Sequence, residues 1–321
     1  MRAISINETG GPEVLRVADV DVAEPGPGEV RIRVAAAGVN FIDVYQRKGV
    51  YSLETPFTPG LEGAGTIEAV GPDVEGLAVG DTVAWGWGRT SYAEQAVLPA
   101  EGVVPVPDGV PPRIAAAVML QGMTAQYLTT STYPIEPGHV AVVHAGAGGV
   151  GLLLTQMAKR RGATVLSTVS SDEKAALSAD AGADHTIRYD RVDVTEAVRE
   201  HVPGGVDVVY DAVGRDTFDA SLACLRPRGM MVLYGQSSGP PDPVDPKRLN
   251  AGGSLFLTRP SLAHHVADRD EMLWRAGEVF ELIRSGELDV RIGEAHPLED
   301  AETAHRNLEG RRTTGKVLLE P

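Results

Sequence analysis

The sequence predicts an α/β protein in which a doubly wound parallel sheet is joined to a second, β-rich and barrel-like domain. Three observations carry this. A glycine-dense stretch, Ala145-Gly146-Ala147-Gly148-Gly149-Val150-Gly151, stands directly between an apolar run and a helical one. From Val140 onward, compact apolar runs alternate with helical stretches, the pattern of parallel strands covered by helices on both faces. Before that, about the first 120 residues read as short β segments broken by Gly and Pro.

Taken in chain order, Val30, Ile32 and Val34 alternate with Arg31 and Arg33, the period of a half-buried strand. The later strands fall at Val140 to Ala145, Val165 to Val169, Val206 to Tyr210, Met230 to Tyr234 and Ser254 to Thr258, with a helix over Leu152 to Arg161. The proline-rich Gly235 to Asn250 reads as a loop. After Pro260, a helical stripe of Met272, Leu273, Ala276, Val279, Phe280 and Ile283 precedes a β-like Lys316 to Leu319. That terminal strand needs a sheet, so it is expected to return to the first domain, giving residues 1–123, an inserted 124–262 and a returning 263–321.

Composition narrows the function. A chain of 321 residues, 43% hydrophobic and 23% charged, suits a globular protein of two domains. A net charge of −15 opposes a phosphate backbone, and Arg160-Arg161 and Arg311-Arg312 are only short pairs, so nucleic acid is excluded as the main partner. No apolar stretch has signal-peptide or membrane-span length, and a cytoplasmic location is expected. Cys224 is the lone cysteine, which rules out an intrachain disulfide or a thiolate metal cluster.

The glycine stretch fits a Rossmann-type dinucleotide site. A pyrophosphate needs a tight strand-to-helix turn, a backbone bare of side chains and helix amides aimed at its charge, and Gly146, Gly148, Gly149 and Gly151 supply them. About twenty residues on, an NAD site offers an acid to the ribose. Here Thr168, Val169, Ser170 and Ser171 stand instead, with Lys174 one turn later. Hydroxyls and a cation suit the extra phosphate of NADPH better than a diol, although Asp172 and Glu173 lie close and Ser171 also suits a helix N-cap.

With these features in place, the chain resembles the medium-chain dehydrogenase/reductase superfamily over its whole length. Asn40-Phe41-Ile42-Asp43 through Tyr45 and Tyr51, then Gly60-Leu61-Glu62-Gly63-Ala64-Gly65, Val79-Gly80-Asp81, Gly122-Met123-Thr124-Ala125 and the glycine loop come in that family's order. Tyr210-Asp211-Ala212-Val213-Gly214, Tyr234-Gly235-Gln236-Ser237-Ser238-Gly239 and Leu257-Thr258-Arg259-Pro260-Ser261 resemble its quinone oxidoreductase, zeta-crystallin-like branch. The resemblance implies a GroES-like catalytic domain around the inserted Rossmann domain. The zinc enzymes of the superfamily carry a Cys near the position of Asn40, a His at that of Leu61 and four cysteines after Leu98; all are missing here. No metal is therefore expected.

What the resemblance implies for the site follows. Asn40, Tyr45 and Tyr51 lie by the nicotinamide, where an amide and two phenols orient the acceptor and steady its charge. Cofactor contacts fall to Thr124, Ala147, Gly148, Gly149, Val150, Ser170, Lys174, Tyr189, Val213, Tyr234, Gly235, Gln236, Ser237, Phe256, Leu257, Thr258 and Lys316. The expected activity is an NADPH-dependent, zinc-independent quinone reductase, because hydride delivery to an electron-poor acceptor is chemistry the cofactor drives alone. An enoyl or alkenal reductase of the same fold is the alternative. In another class stands an NADPH-binding crystallin-like or RNA-binding protein, the latter opposed by the acidic charge. A homodimer is expected through the Gly253 to Thr258 strand edge.

Overall fold

A computed structural model describes all 321 residues. In chain order its strands and helices are β1 (Arg2–Ser5), β2 (Arg16–Asp19), β3 (Glu29–Val39), α1 (Phe41–Arg47), β4 (Glu62–Val70), β5 (Thr82–Trp85), β6 (Gln95–Pro99), β7 (Val104–Pro105) and α2 (Pro112–Tyr127). Then come β8 (Val140–Val143), α3 (Gly149–Arg160), β9 (Thr164–Val169), α4 (Asp172–Asp180), β10 (His185–Arg188), α5 (Val194–His201), β11 (Val206–Asp211), α6 (Phe218–Cys224), β12 (Leu225–Leu233), α7 (Pro246–Ala251) and β13 (Phe256–Thr258). The chain ends with α8 (Leu262–His265), α9 (Arg269–Arg284), β14 (Ile292–Pro297), α10 (Ala301–Glu309) and β15 (Lys316–Glu320). It divides into two compact units, Met1–Met123 with His265–Pro321, and Thr124–His264.

The second unit is a six-stranded parallel sheet in the order β10-β9-β8-β11-β12-β13. Its apolar runs are buried on both faces, as a helix-covered parallel sheet requires, around Val142, Leu166, Val209, Phe218 and Met231. The order reverses between β8 and β11, the switch point at which doubly wound sheets open a crevice beyond their strand ends. The strand expected to run to Ala145 stops at Val143, because Ala145 takes φ 54° and turns the chain. The expected loop Gly235 to Asn250 holds a helix, α7: Asp245 accepts from the Lys247 amide and Pro246 fills the first turn, a start signal that proline content masked.

In the first unit, β3 is the spine of a seven-stranded sheet and pairs antiparallel with β4, β6 and β15. Val30, Ile32 and Val34 point into a core with Ile67, Val83, Trp85 and Leu98, while Arg33 is exposed. A second core joins Ile4, Val39, Tyr92, Leu298 and Val317. Register places Glu62 opposite Gly38 from one side and Leu318 opposite it from the other. A Cβ on Gly38 would meet Glu62 Oε2 at 2.3 Å and Lys316 Cε at 2.7 Å, so only glycine lets those two side chains meet across the spine.

Candidate active site

The glycine loop joins β8 to α3. Within it, two glycines are demanded by packing: a Cβ on Gly146 would lie 1.6 Å from Ser167 Oγ, and one on Gly151 would lie 2.3 Å from the Ala145 carbonyl. Gly148 differs. Its φ of −77° and ψ of 170° suit any residue, and an added Cβ meets nothing nearer than the Ala145 carbonyl at 3.1 Å. It is also the N-cap of α3, and no side chain caps the helix's opening turn. A bare, uncapped helix start of this kind is an anion cradle.

The expected cofactor residues fall in line with it. Ala147, Gly149 and Val150 belong to the loop, Ser170, Ser171 and Lys174 follow β9, Tyr189 follows β10, Val213 follows β11, and Tyr234, Gly235, Gln236 and Ser237 follow β12. Leu257 and Thr258 close β13, whereas Phe256 opens that strand and is 55% exposed. Thr124 is buried in α2. Ser171 caps α4, its Oγ accepting from the Lys174 amide at 3.1 Å. Absent from the expected set are Arg188 and Arg191, which both bond the Asp172 carboxylate and hold it below the usual carboxylate range, Arg188 most strongly. The Arg-Tyr-Asp-Arg run around Tyr189 was the available signal.

Lys316 belongs to the first unit. It is 1% exposed, and its Nζ bonds the buried Glu62 carboxylate and, at 2.9 Å, Asn40 Oδ1. Burial pushes its ammonium below the ordinary lysine value, against the pull of Glu62. Expected as a cofactor contact, it is also the cation of a buried cluster. Asn40 belongs to the same cluster. Its Oδ1 accepts from Lys316 and from Gln121 Nε2 at 3.1 Å, while its Nδ2 donates to Glu62 Oε2 at 2.8 Å and to the Gly38 carbonyl at 3.2 Å. All four hydrogen-bonding valences of the amide are taken within this cluster.

Asn40 also positions α1. It caps the helix, and its amide donates to Asp43 Oδ2 at 2.8 Å. Asp43 is fully buried, and desolvation raises its carboxyl to about 7. Tyr92 Oη lies 3.1 Å from Asp43 Oδ2 and 3.1 Å from His305 Nε2. Burial first, and then Arg47 and Lys48, lower His305 to about 3. On α1 and just beyond it, Tyr45 and Tyr51 meet edge to face at 5.7 Å, with Phe41 next to Tyr45. The two aromatic rings are thus brought together, Tyr45 on a helix whose start is held by buried polar contacts and Tyr51 just beyond its end. No three His, Cys, Asp or Glu side chains converge as a metal site would need, and no helix is long and apolar enough to cross a membrane.

Known proteins bear on this geometry. The family model described as alcohol dehydrogenase GroES-like domain matches residues 26–108, and that described as zinc-binding dehydrogenase matches 149–268. A quinone oxidoreductase of Pseudomonas aeruginosa is 45% identical over 97% of this chain and 97% of its own. A 2-haloacrylate reductase of a Burkholderia species is 41% identical over 99% and 98%. The crystal structure of Escherichia coli quinone oxidoreductase complexed with NADPH superposes with a TM-score of 0.98 at 39% identity, covering 100% of both chains.

Proposed function

Since this chain belongs to the medium-chain dehydrogenase/reductase family, and within it to the quinone oxidoreductase branch, we propose that it passes reducing equivalents from NADPH to a quinone without a metal ion. The observation that carries the cofactor reading is the glycine loop at the uncapped start of α3, where packing presses less on Gly148 than on Gly146 or Gly151 and an approaching pyrophosphate needs it bare. NADPH supplies the hydride when bound. The first amides of α3 receive the pyrophosphate, and Ser170, Ser171 and Lys174 receive the 2′-phosphate, with Tyr189 beside them. Val213, Tyr234 to Ser237, Leu257 and Thr258 line the rest of the cofactor's course.

Metal independence rests on the residues present. Leu61 is a buried apolar side chain, and the cation beside Asn40 is the Lys316 ammonium, paired with Glu62. Residues 1–123 and 263–321 then form the catalytic domain. Within it, Tyr45 and Tyr51 hold the acceptor oxygen as charge develops there. Asn40 is a positioning residue. The outer edge of β13 is unpaired, and with Phe256 exposed on it a second copy is the partner that fits, making a homodimer. The acidic surface argues against nucleic acid, and the single buried Cys224 agrees with a reducing, cytoplasmic setting.

NADPH oxidation measured against ortho- and para-quinones, enals, 2-haloacrylate and enoyl-CoA esters tests the proposal. Quinones are expected to be turned over, with no loss on chelation. Turnover confined to the alkenes would overturn it in favour of an alkene reductase, the reading that the 2-haloacrylate reductase supports. About one zinc per chain, with activity lost on chelation and restored by metal, would overturn the metal-free mechanism.

A further inference from the structure

Beneath the glycine loop lies a line of four buried polar side chains that none of the cofactor contacts includes. Asp211, at the end of β11, is completely buried and has no cationic partner in contact. Its Oδ1 accepts the amides of Val213 at 2.7 Å and Gly214 at 2.9 Å, and its Oδ2 accepts the hydroxyls of Thr217 and Ser221, both at 2.7 Å. Ser221 has one proton and gives it to the carboxylate, so toward His144 Nε2, 3.0 Å away, it must accept. That puts the ring proton on Nε2. Nδ1 is then a lone pair, and Thr168 Oγ1 donates to it at 2.9 Å. Burial lowers the His144 pKa, in keeping with this neutral ring.

The two ends of the line hold the turns that face the cofactor. The Thr168 carbonyl accepts the Gly146 amide of the glycine loop at 3.1 Å, and His144 itself leads into that loop. At the other end the Asp211 side chain shapes residues 211–214, while its carbonyl accepts the amides of Tyr234 and Gly235. A quartet of apolar side chains would fill the same volume without desolvating a carboxylate, so packing alone does not call for this one. Directional hydrogen bonds fix relative position, which apolar contact does not.

We propose that Asp211, Ser221, His144 and Thr168 form a positioning relay that sets the spacing of the glycine loop against the 211–214 turn and thereby the affinity for NADPH. The relay presupposes the cofactor site proposed for that loop. Asp211 and Thr168 bond the backbone of the two turns, and Ser221 and His144 join them.

Ser221→Ala and Thr168→Val each cut the line at one end with little change in volume. NADPH titration by fluorescence is expected to give about a tenfold weaker Kd for either, the effect of losing one buried hydrogen bond. KM for NADPH should rise in step, with kcat and quinone KM within about twofold of wild type. The double variant should be no weaker than either single one, because a line cut once is cut. Thr168→Ser, which keeps the hydroxyl, should bind like wild type. If one variant does not fold, the other alone decides on the Kd. Unchanged Kd with only a lower Tm, or two losses that multiply, would overturn the relay. A wild type that does not bind NADPH would instead overturn the cofactor reading itself, and the relay with it.

Discussion

Whether a single residue's role was legible depended on how far along the chain its partners lie. Gly146 to Gly151 announce a phosphate cradle because strand, turn and helix are contiguous, whereas Lys316 meets Glu62 across 254 positions and nothing local marks either as buried. Lys174 lies between these cases. Its backbone amide caps onto Ser171, which would by itself make the run an ordinary helix start. The nearby acid that threatened to neutralise it, Asp172, is engaged by Arg188 and Arg191. Arg188 also pairs with Asp190, so the two arginines offset these acids and leave Lys174 as the cation of its own turn. Lys174→Ala is expected to weaken NADPH about tenfold and leave NADH nearly unchanged, by fluorescence titration of both. Equal losses would show that Lys174 does not read the phosphate.

At the scale of elements, apolar runs located five of the six strands of the parallel sheet, because strands buried on both faces are unbroken apolar runs, and missed β10, whose His-Thr-Ile-Arg is not one. Periodicity served the short helices poorly. α7 is six residues long, with no buried side chain to give it a stripe, so only its Asp-Pro start betrays it. The loop and first turn of α3 make the sharpest elemental test, since neighbouring glycines there serve different masters. Gly148→Val should keep the far-ultraviolet CD of wild type, with a smaller loss of Tm than Gly151→Val, and abolish NADPH binding. Gly151→Val, whose side chain would enter the Ala145 carbonyl, should lower Tm sharply whether or not NADPH is present. A Gly148 variant that binds NADPH normally would make the whole turn a packing device.

For the whole molecule, two buried groups bind protons in opposite senses. Asp43, raised to about 7 from 3.8, favours the fold at low pH, and that contribution is lost as pH climbs from about 4 to 7. His305, lowered to about 3 from 6.5, favours it above about 6.5, and that contribution is lost as pH falls toward 3. Between about pH 4 and 6.5 the two slopes cancel: folding in effect moves a proton from His305 to Asp43, the groups on either side of Tyr92. Asp43→Asn should unmask the histidine, so that stability climbs by up to about 1.4 kcal/mol per pH unit over that range. Thermal unfolding at pH 4.5 and 6.5 reads this directly, and a variant as flat as wild type would refute the pairing.

The return of β15 to β3 also sets an order in time. At roughly 5 to 20 residues per second, Glu62 leaves the ribosome about ten to fifty seconds ahead of the lysine that neutralises it. Through that interval the nascent amino-terminal sheet lacks both β14 and β15, and its central carboxylate has no cation to be buried with. The inserted Thr124–His264 has all six of its strands before then. A chain usually matures from its first-made end; here the middle unit has all its strands in hand while the sheet built on β3 still waits for β15.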